Sequence, residues 1–110
     1  MNEDIIYLRH ILEAIESIAE YLKDFDQEAF IKDKKTIDAV VRELEIIGKA
    51  ANNLSEEFKN SHSDIPFRDM TDMRNMLLHE YFGVDAKIVW DTCKKDFPPL
   101  KEEIKSFLSG

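Results

Sequence analysis

Residues that interrupt helices are scarce in this chain of 110 residues, which contains three glycines and three prolines. Strand-like alternation of apolar and polar residues is also absent, and apolar residues recur with the period of an α-helix. No apolar run approaches the ~20 residues that a membrane-spanning helix needs. The start, Met-Asn-Glu-Asp, is acidic where a secretory signal would be basic. We therefore expect a soluble, cytoplasmic, all-α protein without a membrane segment.

Cysteine and histidine are too few for most metal sites. Cys93 is the only cysteine, so it has no partner for an internal disulfide or a zinc site, and we interpret it as an inert, partly buried thiol. The Glu-x-x-His pairs of a di-iron bundle do not occur. His10 and His62 are expected to be ordinary surface residues. The sequence thus predicts neither a metal nor another cofactor.

Positive charge is in short supply, since 15 basic residues face 23 acidic ones and the net charge is −8. Nucleic-acid-binding proteins usually carry a broad basic face, and this balance counts against one. The deficit is uneven: residues 1–63 contain 8 basic and 14 acidic residues, whereas residues 64–95 contain 5 and 6. An anion site in the second segment would have to rely on a few local groups.

The apolar periodicity predicts one domain, residues 1–110, built as an up-and-down antiparallel bundle of four to five helices. The predicted elements are a helix at 4–23, a short piece at 25–30 capped by Asp26, a long helix at 33–59 and a helix at 66–82 that ends before Gly83. A helix capped by Asp85 follows, with a break or a kink at Phe97-Pro98-Pro99 and a short last helix at 100–108. A glycine inside a helix costs up to ~1 kcal/mol relative to alanine. We therefore interpret Gly48, Ala50 and Ala51 as a place where another helix approaches closely.

The segment 74–82, Arg-Asn-Met-Leu-Leu-His-Glu-Tyr-Phe, places polar groups among apolar ones. Arg74 and His79 are five residues apart, which on an ideal helix is about 140° around the axis and about 7.5 Å along it. Arg74 and Tyr81 align within about 20°, and Asn75 and His79 share another face. Arg74 and His79 would meet if the long arginine reached round, if the last turn were distorted, or if a two-fold dimer brought two copies together.

The chemistry of these groups fits RNA cleavage. A guanidinium presents a planar set of donors to phosphate oxygens, and an imidazole exchanges protons near neutral pH. RNA carries its own nucleophile, the 2′-hydroxyl, so Arg74 and His79 would suffice without a metal. A structural alternative stays open, in which Arg74 pairs with Asp72 or Glu80, His79 is a satisfied boundary residue and Tyr81 anchors the helix end.

This segment resembles the R-N-x-x-x-H-x-Y signature of HepT-like proteins, which belong to the HEPN superfamily. Similar residues extend over nearly the whole chain and follow the family's order. They lie at Tyr7-Leu8, at Ile11-Leu12 with Ile15, from Asp38 to Gly48, at Ile65-Pro66-Phe67, at Val84-Asp85 with Val89-Trp90, and from Asp96 to Leu100.

The resemblance implies an α-helical, HEPN-like homodimer that acts as the toxin of a toxin–antitoxin pair. Such proteins are metal-independent ribonucleases, so Arg74 and His79 would be catalytic and Asn75 would support them. Their antitoxin is an MntA-like minimal nucleotidyltransferase, which transfers AMP onto the motif tyrosine, here Tyr81. The implied partners are therefore an RNA substrate, a second copy of the chain and this nucleotidyltransferase.

Two positions depart from the family pattern. Lys49 stands where the family's I-G-E-A sequence has a glutamate, and Phe67 replaces a tryptophan. The basic residue at position 49 and the negative net charge fit a second hypothesis. In it the chain is a non-catalytic helical partner that binds a nucleotidyltransferase and cuts nothing.

Overall fold

A computed structural model of the chain describes the backbone of residues 2–79 and 85–109, and the side chains of residues 3–73 and 85–109. Every regular element within these ranges is a helix, which confirms the all-α prediction. The elements are, in chain order, α1 (Asn2–Leu22), α2 (Gln27–Ile31), α3 (Lys34–Asn53), α4 (Glu56–Ser61), α5 (Phe67–His79), α6 (Ala86–Asp91), a π-helical turn (Thr92–Asp96) and α7 (Phe97–Ser109).

Helix α3 lies at the centre of the fold, because α1 and α5 both pack against it. The small residues Gly48, Ala50 and Ala51 are all buried, in agreement with the close helix approach expected at this place. The end of α3 lies beside the start of α5, since Asn52 and Arg68 line one groove, and α3 and α5 therefore run antiparallel. Helix α7 packs on α1, and α2 packs against α3 and α6.

Three helices begin at aspartates that cap their free N–H groups. The side chains of Asp26, Asp33 and Asp85 each accept a hydrogen bond from a backbone N–H two or three residues further on, at 2.8, 3.3 and 2.9 Å. Such bonds satisfy donors that have no partner within the helix. The predicted caps at Asp26 and Asp85 are thereby confirmed.

The prediction of one long helix at 33–59 is wrong, because the chain breaks between α3 and α4. Leu54 has an extended backbone, with φ −62° and ψ 146°. Ser55 then caps α4, and its hydroxyl oxygen accepts a hydrogen bond of 3.1 Å from the N–H of Phe58. The break is held from outside the segment, since the N–H and the hydroxyl of Ser55 both donate to the carboxylate of Asp4, each at 2.8 Å.

A break or a kink was expected at the two prolines near the C-terminus, and the structure shows a wide π-helical turn that leads directly into α7. The N–H of Phe97 donates to the carbonyl of Thr92, five residues back, and α7 begins at Phe97, three residues earlier than predicted. A proline has no N–H to donate, and its ring clashes with the carbonyl four residues back in an α-helix. The π-helical turn precedes Pro98 and Pro99, so the path widens where an α-helix would clash.

Among the described side chains, α1 and α3 contribute the most buried apolar residues to the core, and α5 and α7 contribute others. Helix α1 buries Ile11, Ala14 and Ile18 because it packs against both α3 and α7. Ile5 and Ile88 are apolar residues of α1 and α6, but they are 43% and 52% exposed. Within the described residues, none of the helices combines the length and the apolar character required to cross a membrane.

Candidate functional site

The predicted site lies near the end of α5. The backbone of Arg74, Asn75 and His79 is helical, and His79 is the last residue of α5. Tyr81 lies outside the described residues, as do the side chains of the other three. Their roles and mutual contacts therefore stay predictions, and the surroundings of α5 supply the geometry.

Helix α5 has one face toward the core and one away from it. Phe67 is buried, and position 74, seven residues further, returns to the same side of an ideal helix within about 20°. Positions 75 and 79 fall instead on a stripe with Arg68 and Asp72, whose side chains are exposed. On the helical backbone of α5, positions 74 and 79 lie at different angles around the axis, as the spacing predicts.

A polar groove of about 500 Å³ lies between α4 and α5 and also touches the end of α3. We call it the α4–α5 groove. Its lining residues are Asn52, Glu56, Lys59, Asn60, Ser63, Ile65, Phe67, Arg68, Thr71 and Asp72. Lys59 is only 22% exposed and pairs with Glu56 at 3.2 Å. The groove beside the exposed stripe of α5 is therefore lined by hydrogen-bonding groups, two cations and two carboxylates.

An apolar cleft of about 290 Å³ lies between α5 and the start of α7. Leu44, Met70, Phe97 and other apolar residues form its floor, and Lys95 and Glu103 stand among the charged residues that line it. The chemical character of this cleft differs from that of the α4–α5 groove. It provides apolar contact area next to the candidate site and few groups that recognise a phosphate.

The structure describes the side chains of two histidines, His10 and His62, and their environments differ. His10 is exposed, as predicted. The prediction of an ordinary surface site for His62 is wrong, because its ring packs against Phe58 and Phe107, with centroids at 4.3 and 4.4 Å. Its Nδ1 lies 3.0 Å from the carbonyl oxygen of Phe58, and since a carbonyl only accepts, Nδ1 donates. His62 therefore packs and caps the end of α4.

Cys93 is buried, as predicted. Burial raises the pKa of its thiol to about 12, because the thiolate would lose its hydration, although the neighbouring Lys94 acts in the opposite direction. The thiol is therefore protonated at neutral pH and a poor nucleophile. Among the residues that the structure describes, no cluster of three or more His, Cys, Asp or Glu side chains could hold a metal ion.

Sequence reasoning missed the α4–α5 groove and its two cations. The apolar pattern places Lys59 at the end of a long helix, and it assigns no role to Arg68. A signal was present in the spacing, since residues 68, 72, 75 and 79 follow intervals of four, three and four. This spacing marks one face of a helix and could have joined Arg68 to the motif. Lys49 is exposed on α3 and is not part of the groove lining.

Comparison with known proteins identifies the family. A model of ribonuclease HepT-like proteins matches residues 11–107. A probable ribonuclease HepT of Thermococcus cleftensis is 50% identical over 95 residues, which cover 86% of each chain. A candidate RNase of Caldanaerobacter subterraneus is 44% identical, and the match covers 93% of this chain and 91% of that protein.

A protein of Methanocaldococcus jannaschii, named as a gamma-glutamylcyclotransferase and candidate RNase, is 49% identical over 105 residues. The match covers 94% of this chain but 47% of that protein, so the chain spans about half of its length. No solved structure gives a significant match. With a family model matched over most of its residues, the chain belongs to the HepT-like ribonuclease family.

Proposed function

We propose that this protein is a metal-independent endoribonuclease whose catalytic groups are Arg74 and His79. The observation that carries the proposal is the sequence R-N-x-x-x-H-x-Y, which starts on α5 at Arg74, in a chain of the HepT-like family. The charge supports it as well, because the deficit of positive charge is concentrated in residues 1–63 and the segment around Arg74 is nearly balanced.

The reaction requires two proton transfers and the stabilisation of one charge. His79 accepts the proton of the ribose 2′-hydroxyl, and the 2′-oxygen attacks the adjacent phosphorus. Arg74 binds the non-bridging oxygens, on which negative charge develops in the phosphorane-like transition state. The bond from phosphorus to the 5′-oxygen breaks, and that oxygen receives a proton from an imidazolium. The products are a 2′,3′-cyclic phosphate and a 5′-hydroxyl, and no metal or redox partner is consumed.

We place the complete site at a two-fold dimer of the chain. Positions 74 and 79 point about 140° apart around α5. A two-fold axis brings the same surface of two copies face to face, so that Arg74 of one copy can meet His79 of the other. Asn75 lies on the same stripe as His79 and would position the imidazole or a phosphate oxygen.

The activity is regulated, in this proposal, by a partner enzyme. An MntA-like minimal nucleotidyltransferase acts as antitoxin to this toxin and transfers AMP from ATP onto the hydroxyl of Tyr81, releasing pyrophosphate. The attached AMP adds a bulky group with negative charge two residues after His79. It fills the space that the substrate needs and repels an RNA phosphate.

The proposal is tested by incubating purified protein with RNA in EDTA. We expect cleavage by the wild type and a loss of at least about 100-fold in Arg74→Ala and in His79→Ala, because general base catalysis alone contributes about that much. Arg9→Ala and His10→Ala are matched controls, since both residues are exposed on α1. Cleavage that survives both motif substitutions, or that stops on adding EDTA to the wild type, contradicts the mechanism.

The regulatory proposal is tested by co-expression with a minimal nucleotidyltransferase and measurement of the intact mass. The wild type should gain the mass of one AMP, and Tyr81→Phe should gain none. Tyr21→Phe is the control, because Tyr21 is 39% exposed and offers an accessible hydroxyl elsewhere. Modification of Tyr81→Phe to the same extent as the wild type would assign the acceptor to another residue.

A second candidate function is a non-catalytic binding partner of the nucleotidyltransferase. Lys49 at the position of the family's glutamate and the net charge of −8 favour it. The cleavage experiment separates the two functions: a clean, folded wild type that leaves RNA intact but is still modified by the nucleotidyltransferase fits the binding partner.

A further inference from the structure

We propose that the α4–α5 groove is a substrate subsite, which holds one nucleotide of a single-stranded RNA away from the scissile bond through Arg68 and Lys59. The inference rests on the proposed ribonuclease function. It concerns a part of the RNA substrate that the residues of the motif do not bind. Four properties of the described residues support it: the shape of the groove, its hydrogen-bonding groups, its free cation and its alignment with the motif.

The shape of the groove suits a nucleoside. Ile65 and Phe67 are buried, and they provide an apolar floor. Asn52 and Asn60 stand on the walls, where their amide groups both donate and accept hydrogen bonds. A base has flat apolar faces and a polar edge, and single-stranded RNA exposes both. An apolar floor with amides at its rim is complementary to that pattern.

The groove also has cations available for a phosphate. Lys59 is largely enclosed and pairs with Glu56, but the Glu56 side chain is 83% exposed and can turn into solvent at little cost. Arg68 is exposed and forms no ion pair with any described carboxylate, including that of Asp72 one turn further on. Its planar donors are therefore free to bind phosphate oxygens in pairs.

Alignment joins the groove to the candidate site. Positions 68, 72, 75 and 79 lie on one stripe of α5, and Arg68 precedes His79 by about 16.5 Å along the axis, at 1.5 Å per residue. A strand with its scissile phosphate at His79 can run back over Asn75 and reach the groove within a few nucleotides. A short substrate would end before Arg68, so the subsite distinguishes substrates by length.

The first experiment measures binding with cleavage removed. In a His79→Ala background, the affinity for a fluorescent single-stranded oligoribonucleotide is measured by anisotropy at several salt concentrations. We expect Arg68→Ala to bind about tenfold more weakly, as for the loss of one charged hydrogen-bonded contact. The slope of log K against log salt should fall by about 0.7, the value for one phosphate contact in a single strand. Arg9→Ala, an exposed arginine on α1, should change neither quantity.

The second experiment measures cleavage with His79 intact. Arg68→Ala should lower kcat/KM about tenfold on an oligoribonucleotide and leave the cleavage of a dinucleotide unchanged, since a dinucleotide does not reach the groove. The two experiments separate the two proposals. If the wild type cleaves RNA and Arg68→Ala matches Arg9→Ala in both assays, the subsite is overturned and the ribonuclease proposal stands.

If Arg68→Ala loses RNA affinity but the wild type cleaves nothing, the groove binds RNA and the ribonuclease proposal fails. A third result would also overturn the subsite. In that result Arg68→Ala keeps its RNA affinity and loses binding to a minimal nucleotidyltransferase, which would make the groove a protein interface.

Discussion

At the scale of single residues, Asp4 is the clearest case of a charge that stabilises the fold. Only 4% of Asp4 is exposed. Burial acts to raise the pKa of its carboxyl, but the hydrogen bonds from the N–H and the hydroxyl of Ser55 and the positive charge of Lys59 lower it below the usual value. The folded state therefore holds Asp4 as a carboxylate more strongly than the unfolded state does.

The lowered pKa of Asp4 determines how the stability of the folded protein changes with pH. A carboxyl whose pKa is lower in the folded state contributes its full stabilisation of the fold at pH values above its unfolded-state pKa. This stabilisation is lost as the pH falls through the folded-state pKa. Urea denaturation should show Asp4→Ala to be less stable by about 1–3 kcal/mol at pH 7, because Ser55 loses its acceptor. The difference should shrink at pH 3. Glu3→Ala, which removes an exposed acid from the same turn, should change stability by less than about 0.5 kcal/mol at either pH.

The buried thiol of Cys93 gives a second prediction at this scale. With its pKa raised to about 12, the thiolate is nearly absent at pH 8, and thiolate is the reactive form. We expect Ellman's reagent to leave the native protein almost unmodified at pH 8 and to react with one thiol per chain in denaturant. Rapid reaction of the native protein, with no loss of helical circular dichroism, would contradict the buried position.

At the scale of elements, local sequence was sufficient where a helix end depends on neighbouring residues. Asp26 and Asp85 cap helices through hydrogen bonds two or three residues away, which a reader of the sequence can anticipate. The break after α3 has a local part, since Ser55 caps α4 through the N–H of Phe58. Its other part is not local, because Ser55 also donates to Asp4, 51 residues earlier in the chain. His62 was misjudged for a similar reason, since Phe107 packs against it from the other end of the chain.

The junction of α3 and α4 can be tested by a double-mutant cycle. Ser55→Ala removes both the cap of α4 and the hydroxyl donor to Asp4, so it should cost about 1–2 kcal/mol of unfolding free energy. Combined with Asp4→Ala, the losses should be less than additive by about 0.5 kcal/mol or more, because the two side chains share a hydrogen bond. Ser61→Ala, at the exposed end of α4, is the control. Strict additivity would show that the two residues act independently.

The candidate site also combines features that depend on local sequence with features that depend on distant residues. The helical position of residues 74–79 could be read from the sequence, because it depends on spacing within one element. The predicted helix end before Gly83 lies outside the described residues. The α4–α5 groove could not be read from the sequence, since it requires α3, α4 and α5 to meet at Asn52, Lys59 and Arg68. Whether Arg74 and His79 share one phosphate depends on a contact beyond α5, which no periodicity specifies.

At the scale of the whole molecule, the proposed dimer makes each site from two chains. Arg74→Ala and His79→Ala proteins should therefore be inactive alone and recover activity when they are mixed and allowed to exchange subunits. Half of the dimers would be mixed, and each mixed dimer would have one intact site out of two, so we expect about a quarter of wild-type activity. A mixture of the His79→Ala and Asn75→Ala proteins is the control for any effect of subunit exchange itself, because positions 75 and 79 lie on the same stripe of α5. No recovery in the first mixture would place both catalytic groups in one chain.

The central position of α3 has a consequence for how the molecule opens. Because α1 and α5 both pack against it, either neighbour can loosen while the other still shields the α3 backbone. The amide protons of α3 should therefore exchange with solvent only when the protein unfolds globally, whereas those of α6 are released by smaller openings. A movement that admits RNA beside α5 would then leave the innermost helix undisturbed.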